Sequence, residues 1–255
     1  MGKLEDALSS GGFPSAMPPV PELTVPQQMA IAARLLANDD YALDVAGHIT
    51  AVRPNSDGSM WCTPYGLWWR ELTASDIITI DSEGAVIEGQ WDVTPAVFIH
   101  TEIHRARPDA PVLIHNHPYY GSLLSTLHVE PDIIDQQSCM FDGDILLFNE
   151  YTGGVDDAEG GGYLAGAIGD ATAIILANHG VLVTGGSIAQ ATYRAVTFER
   201  TCRLNYDTLA SGQEPVPVPP ETRGLLKRSI NTLSVDYYWG GAIRHLLATE
   251  PEVLD

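Results

Sequence analysis

The chain has 255 residues, 45% of them hydrophobic and 18% charged, which suits one large α/β domain with a continuous core. Its 13 basic residues against 33 acidic ones leave a formal net charge of −20, so nucleic acid and anionic membrane surfaces are excluded as expected partners. No run of about 18 apolar residues offers a bilayer span, and the opening MGKLEDALSSGG lacks the basic-then-apolar order of a signal peptide, so a cytoplasmic location is expected.

Residues 1–23 carry Gly11, Gly12, Pro14, Pro18, Pro19 and Pro21, a composition that predicts a flexible extended arm. The single domain of residues 24–255 opens on Thr24, with Pro26 in the first turn and Gln27 three residues on, a capping-box pattern. The following helix presents Met29, Ile31, Ala32, Leu35 and Leu36 to the core. Strand and turn signals then run from DVAGHITAV through MWCTP to two short strands in DIITIDSEGAVIEG. Helical period returns from Pro95 to Ala106 and ends at Arg107-Pro108-Asp109. APVLIHNHP reads as a buried strand, and residues 118–128 and 159–169 as helices on either side of a variable region containing Tyr151-Thr152-Gly153-Gly154. ATAIILANHGVLVTG is a strand pair about a tight turn, SIAQATYRAVTFERTCRLNYDTLASG a long helix, and a C-terminal helical tail carries Tyr237, Tyr238 and Trp239. Cys62, Cys139 and Cys202 are odd in number and widely spaced, which fits buried thiols and no disulfide framework.

The chemistry concentrates in three histidines. His115 and His117 sit two apart at the end of an apolar strand, where period two turns both imidazoles to one side. An HxH pair alone is weak evidence, because a half-buried strand can satisfy two histidines with backbone groups. His179, in Ala177-Asn178-His179-Gly180, closes a second apolar run and would complete a site of three neutral nitrogens. Such a set suits one divalent ion per subunit, zinc or manganese by preference and iron as an option.

The order of AGHITAV, TPYG, LTASDIITIDSEGAVIEG, HTEIHRARPDAPVL, IHNHP and LANHGVLVTG resembles the class II aldolase/adducin family over residues 25–210. The resemblance implies a three-layer α/β/α fold with a central, mostly antiparallel sheet, usually a homotetramer with sites at subunit boundaries. It also implies that His115, His117 and His179 hold the metal.

Departures from the family pattern are as informative. Aldolases of the family carry a Pro-Ser-Ser-Glu stretch, whose glutamate is the acid/base. Here Val93-Thr94-Pro95-Ala96 replaces it, putting Ala96 at the glutamate position. Glu102 lies about 240° round the helix from that position and is expected to be a solvated charge. Gly47-His48 and Tyr65-Gly66 replace phosphate contacts, which makes a sugar phosphate a poor fit.

Decarboxylation needs an electron sink and a proton donor but no base at the missing glutamate. The Gly47-His48 variant resembles the family's decarboxylases of hydroxylated aromatic or pyridine carboxylates more than its sugar-phosphate aldolases, which implies a metal-dependent carbon–carbon lyase, a decarboxylase of a hydroxylated aromatic or heteroaromatic carboxylate. His48, His100 and Tyr119 are the candidate catalytic groups; Arg53, Tyr65 and Tyr120 are the candidate substrate contacts. Three alternatives stand beside it: an aldolase or dehydratase acting on a non-phosphorylated hydroxy-keto acid, a non-haem iron oxygenase cleaving an aromatic acid side chain, and a non-catalytic adducin-like scaffold.

Overall fold

The computed structural model describes residues 2–12, 17–42, 45–151 and 153–255. Helices α1 (Lys3–Ser10) and α2 (Val25–Asn38) precede strands β1 (His48–Val52), β2 (Met60–Cys62), β3 (Ile78–Ile80) and β4 (Val86–Glu88). Next come α3 (Phe98–Ala106), β5 (Val112–Asn116), α4 (Tyr119–Leu127), β6 (Ile145–Phe148), α5 (Ala158–Ala167), β7 (Ala173–Leu176) and β8 (Gly180–Gly185). Three helices close the chain: α6 (Ile188–Ala210), α7 (Pro220–Ser229) and α8 (Val235–Leu247).

The strands form one sheet in the order β4-β3-β2-β1-β5-β8-β7-β6. Among the described residues only β6 and β7 pair in parallel, joined by a crossover through α5. Alternation along the strands sorts side chains between two layers. Ile49, Ile114, Val181 and Val183 pack with Met29 and Leu36 of α2, Leu124 of α4 and Phe198 of α6. Leu113 and Leu182, one residue out of phase, pack with Ile99 and Ile103 of α3 and Leu164 of α5. The expected three-layer α/β/α fold with a mostly antiparallel sheet is what the chain adopts.

The start of α2 follows from its capping box: Thr24 Oγ1 accepts from Gln27 N at 3.4 Å, and Gln27 Oε1 accepts from Thr24 N at 3.0 Å. This helix is covered on its outer side too, where Ile31 and Leu35 meet Ile243, Leu246 and Val253. Its buried Arg34 bonds Glu250 at 2.9 Å and Glu252 at 2.6 Å, so the C-terminal tail is tied to the helix by charge as well as by apolar contact.

Two expectations need correction. The first 23 residues are not extended throughout, because Lys3–Ser10 is helical and ends at Gly11 with φ +78°. Its sequence KLEDALSS holds no Gly or Pro; the breakers begin at Gly11. The region assigned as variable contains strand β6, short and only partly buried at the sheet edge. Pro14, Asp44 and Thr152, which figured in the arm, the first strand and the variable turn, lie outside the described residues. No helix among the described residues is long and apolar enough to cross a membrane.

Candidate metal centre

Strand register builds the site. His115 lies opposite His48 of β1 and opposite Leu182 of β8, so its ring projects to the layer that holds α3 and α5. His117 follows at the same phase, just past the end of β5. The tight connection from β7 to β8 passes through Asn178 at φ +55°, a left-handed conformation that Asn tolerates, and delivers His179 beside the pair. Ring centroids are 5.1 Å apart for His115 and His117, and 4.9 Å from His179 to each of the other two. Their ligand nitrogens all lie within 4.8 Å of one another.

Two glycines make room for this convergence. A Cβ on Gly180 would stand 2.6 Å from the Asn116 carbonyl oxygen and 2.6 Å from His117 Cδ2. At Gly47, with φ +88°, a Cβ would meet Asn116 Nδ2 at 2.5 Å and the His115 carbonyl oxygen at 2.7 Å.

The electronic state suits a cation. His115 Nδ1 donates to the Val181 carbonyl at 3.0 Å, which leaves the Nε2 lone pair for a ligand role. Burial, and then the neighbouring imidazoles, hold His115 well below the usual histidine range. Burial, reinforced by His117, lowers His179 to about 4. Neutral imidazoles are the form that binds metal. A three-histidine donor set of this kind fits a divalent ion.

Behind the three rings lies more buried histidine. His48 stands 5.3 Å from His115 and 4.1 Å from His100, ring centre to ring centre. Burial lowers His48 to about 3, although the Ala96 carbonyl beside it favours the protonated form. Neither of its ring nitrogens has a hydrogen-bond partner of good geometry. Ala96, at the position of the family glutamate, therefore offers this region a backbone oxygen and no carboxylate. His100 is fully buried and reaches the site only through His48. Its Nδ1 lies 2.5 Å from Thr50 Oγ1, which also meets His104 Nε2 at 2.7 Å. Thr50 and His104 were not among the expected site residues; the His100/His104 spacing of one helical turn was the available signal.

Other expected residues fall elsewhere. Arg53 follows β1 at the end opposite His48; it pairs with Glu88 at 3.4 Å and lies over Trp61, away from the histidines. Residues 49–52 of extended strand separate it from His48, so Arg53 of this chain is not brought to the histidines as expected. Tyr65 lies at the His48 end of β1 in an exposed loop, its N–H bonded to the Asp92 carbonyl at 2.9 Å. Tyr119 and Tyr120 line a cavity of about 590 Å³ with Tyr41, Glu199, Arg200 and Arg203. No histidine among the described residues lines it, and Tyr120 packs against the α2/α6 side of the sheet. The two tyrosines turn away because α4 starts at residue 119 and its first turn is held by Glu199, which accepts from the N–H groups of Tyr120 and Gly121 at 2.7 and 2.8 Å. Glu102 is not solvated: its side chain is largely covered, bonded to Arg105 and close to Gly161 of α5. The aromatic wall beside the metal candidates is a different one: His179 borders a narrow cavity with Phe148, Tyr151 and Tyr163.

A mixed eight-stranded sheet that gathers three histidines at its strand ends defines an α/β protein with a candidate metal site. Residues 27–206 match the class II aldolase and adducin N-terminal domain, and the chain belongs to that family. It is 32% identical over 206 residues to the decarboxylase NovR of Streptomyces niveus, covering 80% of this chain and 76% of the relative. It is also 32% identical over 192 residues to a 4-hydroxy-3-prenylphenylpyruvate oxygenase/4-hydroxy-3-prenylbenzoate synthase of Streptomyces roseochromogenus subsp. oscitans, covering 74% and 69%. Among solved structures, an L-fuculose 1-phosphate aldolase from Glaciozyma antarctica PI12 superposes with a TM-score of 0.80 at 29% identity, over 93% of this chain and 97% of that one.

Proposed function

We propose that the chain is a metal-dependent carbon–carbon lyase that decarboxylates a hydroxylated aromatic or heteroaromatic carboxylate. The observation that carries this reading is the pairing of a three-histidine centre with Ala96, whose side chain can neither give nor take a proton. His115, His117 and His179 would hold the ion, which when bound supplies Lewis-acid withdrawal of electron density from an oxygen beside the carboxylate. The carboxylate departs as carbon dioxide and leaves its bonding pair on the substrate carbon. That carbon then takes a proton drawn ultimately from solvent, and neutral His48, buried beside His115, is the chain's own group placed to relay it, taking a proton at one ring nitrogen as it gives one from the other. Phe148, Tyr151 and Tyr163 bring aromatic side chains to the His179 side of the centre. The relative named a decarboxylase supports the reaction type.

The printed name of the second relative supports a rival reaction, oxygen-dependent cleavage of an aromatic acid side chain by the same histidines holding ferrous iron. The two separate in one experiment. The purified chain, loaded in turn with zinc, manganese and ferrous iron, is offered a panel of hydroxybenzoates, hydroxypyridine carboxylates and hydroxyphenylpyruvates with and without dioxygen. Carbon dioxide release under anaerobic conditions with a non-redox metal is the expected result. Turnover that requires iron and dioxygen would replace decarboxylation with oxygenation, and retro-aldol products would replace it with aldol cleavage. A chain that takes up no metal would be a scaffold. The subunit boundaries of a homotetramer, and the cytoplasm, are the proposed setting for this reaction.

A further inference from the structure

The interior between the metal candidates and the far end of α3 holds a hydrogen-bonded line whose proton positions are dictated by chemistry. The Ala110 carbonyl can only accept, so His104 Nδ1, 3.1 Å away, must donate to it. His104 is buried and neutral, with burial lowering it to about 4, so its one ring proton is spent and its Nε2 is an acceptor. Thr50 must then donate its hydroxyl hydrogen to His104 Nε2 across 2.7 Å. The Thr50 oxygen has no second hydrogen, so at 2.5 Å it accepts from His100 Nδ1. His100 is itself fully buried and neutral, which leaves its Nε2 with a lone pair and no partner, in a ring 4.1 Å from that of His48.

We infer that Thr50, His104 and the Ala110 carbonyl form a tautomer lock that fixes His100 with its proton on Nδ1 and a bare Nε2 beside His48. His100 is then a positioning residue that packs its ring against His48, with no hydrogen bond between the two rings, and cannot donate a proton to the site. The sequence suggested a proton carrier at this position; the line of bonds assigns it the opposite sense. The sequence carries the device in two fragments, Thr50 two residues after His48 and the His100/His104 pair one helical turn apart.

The tautomers are directly readable in ¹⁵N-histidine NMR spectra of the full chain, zinc-loaded and metal-free. Nδ1–H forms of both His100 and His104 in the wild type are expected, and this arm needs no variant. Thr50→Val removes the hydroxyl at nearly constant shape, so the His100 signal should move to Nε2–H or to a mixture, while Thr50→Ser keeps Nδ1–H. An Nε2–H form of wild-type His100, or a His100 spectrum unchanged in Thr50→Val, would overturn the lock. Its kinetic consequence rests on the decarboxylase reading: kcat in Thr50→Val should fall on the order of 10- to 100-fold, with KM within about twofold, zinc content unchanged, and most of the rate kept in Thr50→Ser. An unchanged kcat would overturn the positioning role. If the substrate reading fails, the NMR arm still decides the tautomers by itself.

Discussion

His115 donates its Nδ1 proton to the carbonyl of Val181 at 3.0 Å, across the β5–β8 pairing that also aligns their backbones. That one bond sets the tautomer of the central histidine and keeps its Nε2 lone pair available. The orientation of the ring thus comes from the sheet itself.

Removing one imidazole should remove the ion. His117→Ala leaves two donors, too few for a stable catalytic site, so metal content by elemental analysis should fall from about one equivalent to near zero and activity with it. The fold should survive, since His117 lies beyond the last residue of β5. A variant that keeps a full equivalent of metal would remove His117 from the donor set.

Gly180→Ala tests the packing beneath the site. The new methyl would stand 2.6 Å from a backbone oxygen of β5 and from the His117 ring, so the strand or the ring must shift. A stability loss of about 1–3 kcal/mol is expected, together with weaker metal affinity in a chelator competition. Wild-type affinity and stability would mean that the turn relaxes without disturbing His117.

Glu102→Gln separates the helix faces. The side chain is bonded to Arg105 and lies close to Gly161 of α5. Metal content and kcat should stay at wild-type values, with a stability change of less than about 1 kcal/mol in denaturant titration. Loss of activity with metal retained would make Glu102 the missing base.

Acid should destabilise the fold through His104. Its pKa is lowered to about 4 in the folded chain by burial, against the ordinary 6.5. Between those values the unfolded chain binds the extra proton, so stability is greatest above about pH 6.5 and falls as pH drops toward 4. The full contribution is about 3 kcal/mol. Urea midpoints measured from pH 7 to pH 4 should fall, with His48, His115 and His179 contributing in the same sense, and His104→Gln should make the slope shallower by the His104 share. An equally steep slope in the variant would assign the acid sensitivity to other groups.

Much of the site was legible in the chain because it depends on short-range periodicity. Two histidines at i and i+2 beyond an apolar run must face one side, and a His-Gly turn after another apolar run must emerge at a strand end. Ala96 was found by another route, by setting the chain against the family pattern that the resemblance supplied. Errors arose where a residue's direction depended on a neighbour distant in sequence. Tyr120 turns from the histidines because Glu199, 79 positions later, holds the first turn of α4. Glu102 is covered because Gly161 lets α5 come close to α3.

The amino-acid order by itself determined the family, the strand-and-helix rhythm and the identity of the three convergent imidazoles, since each rests on patterns a few residues long. Which layer those rings enter, and which proton each inner histidine carries, was decided only when β1, β5 and β8 lay side by side beneath α3. Side-chain phase is local, but the acceptor that a buried nitrogen meets is chosen by packing. Thr50 joins His100 to His104 across about 50 positions of chain because the sheet and the helix share one apolar interface.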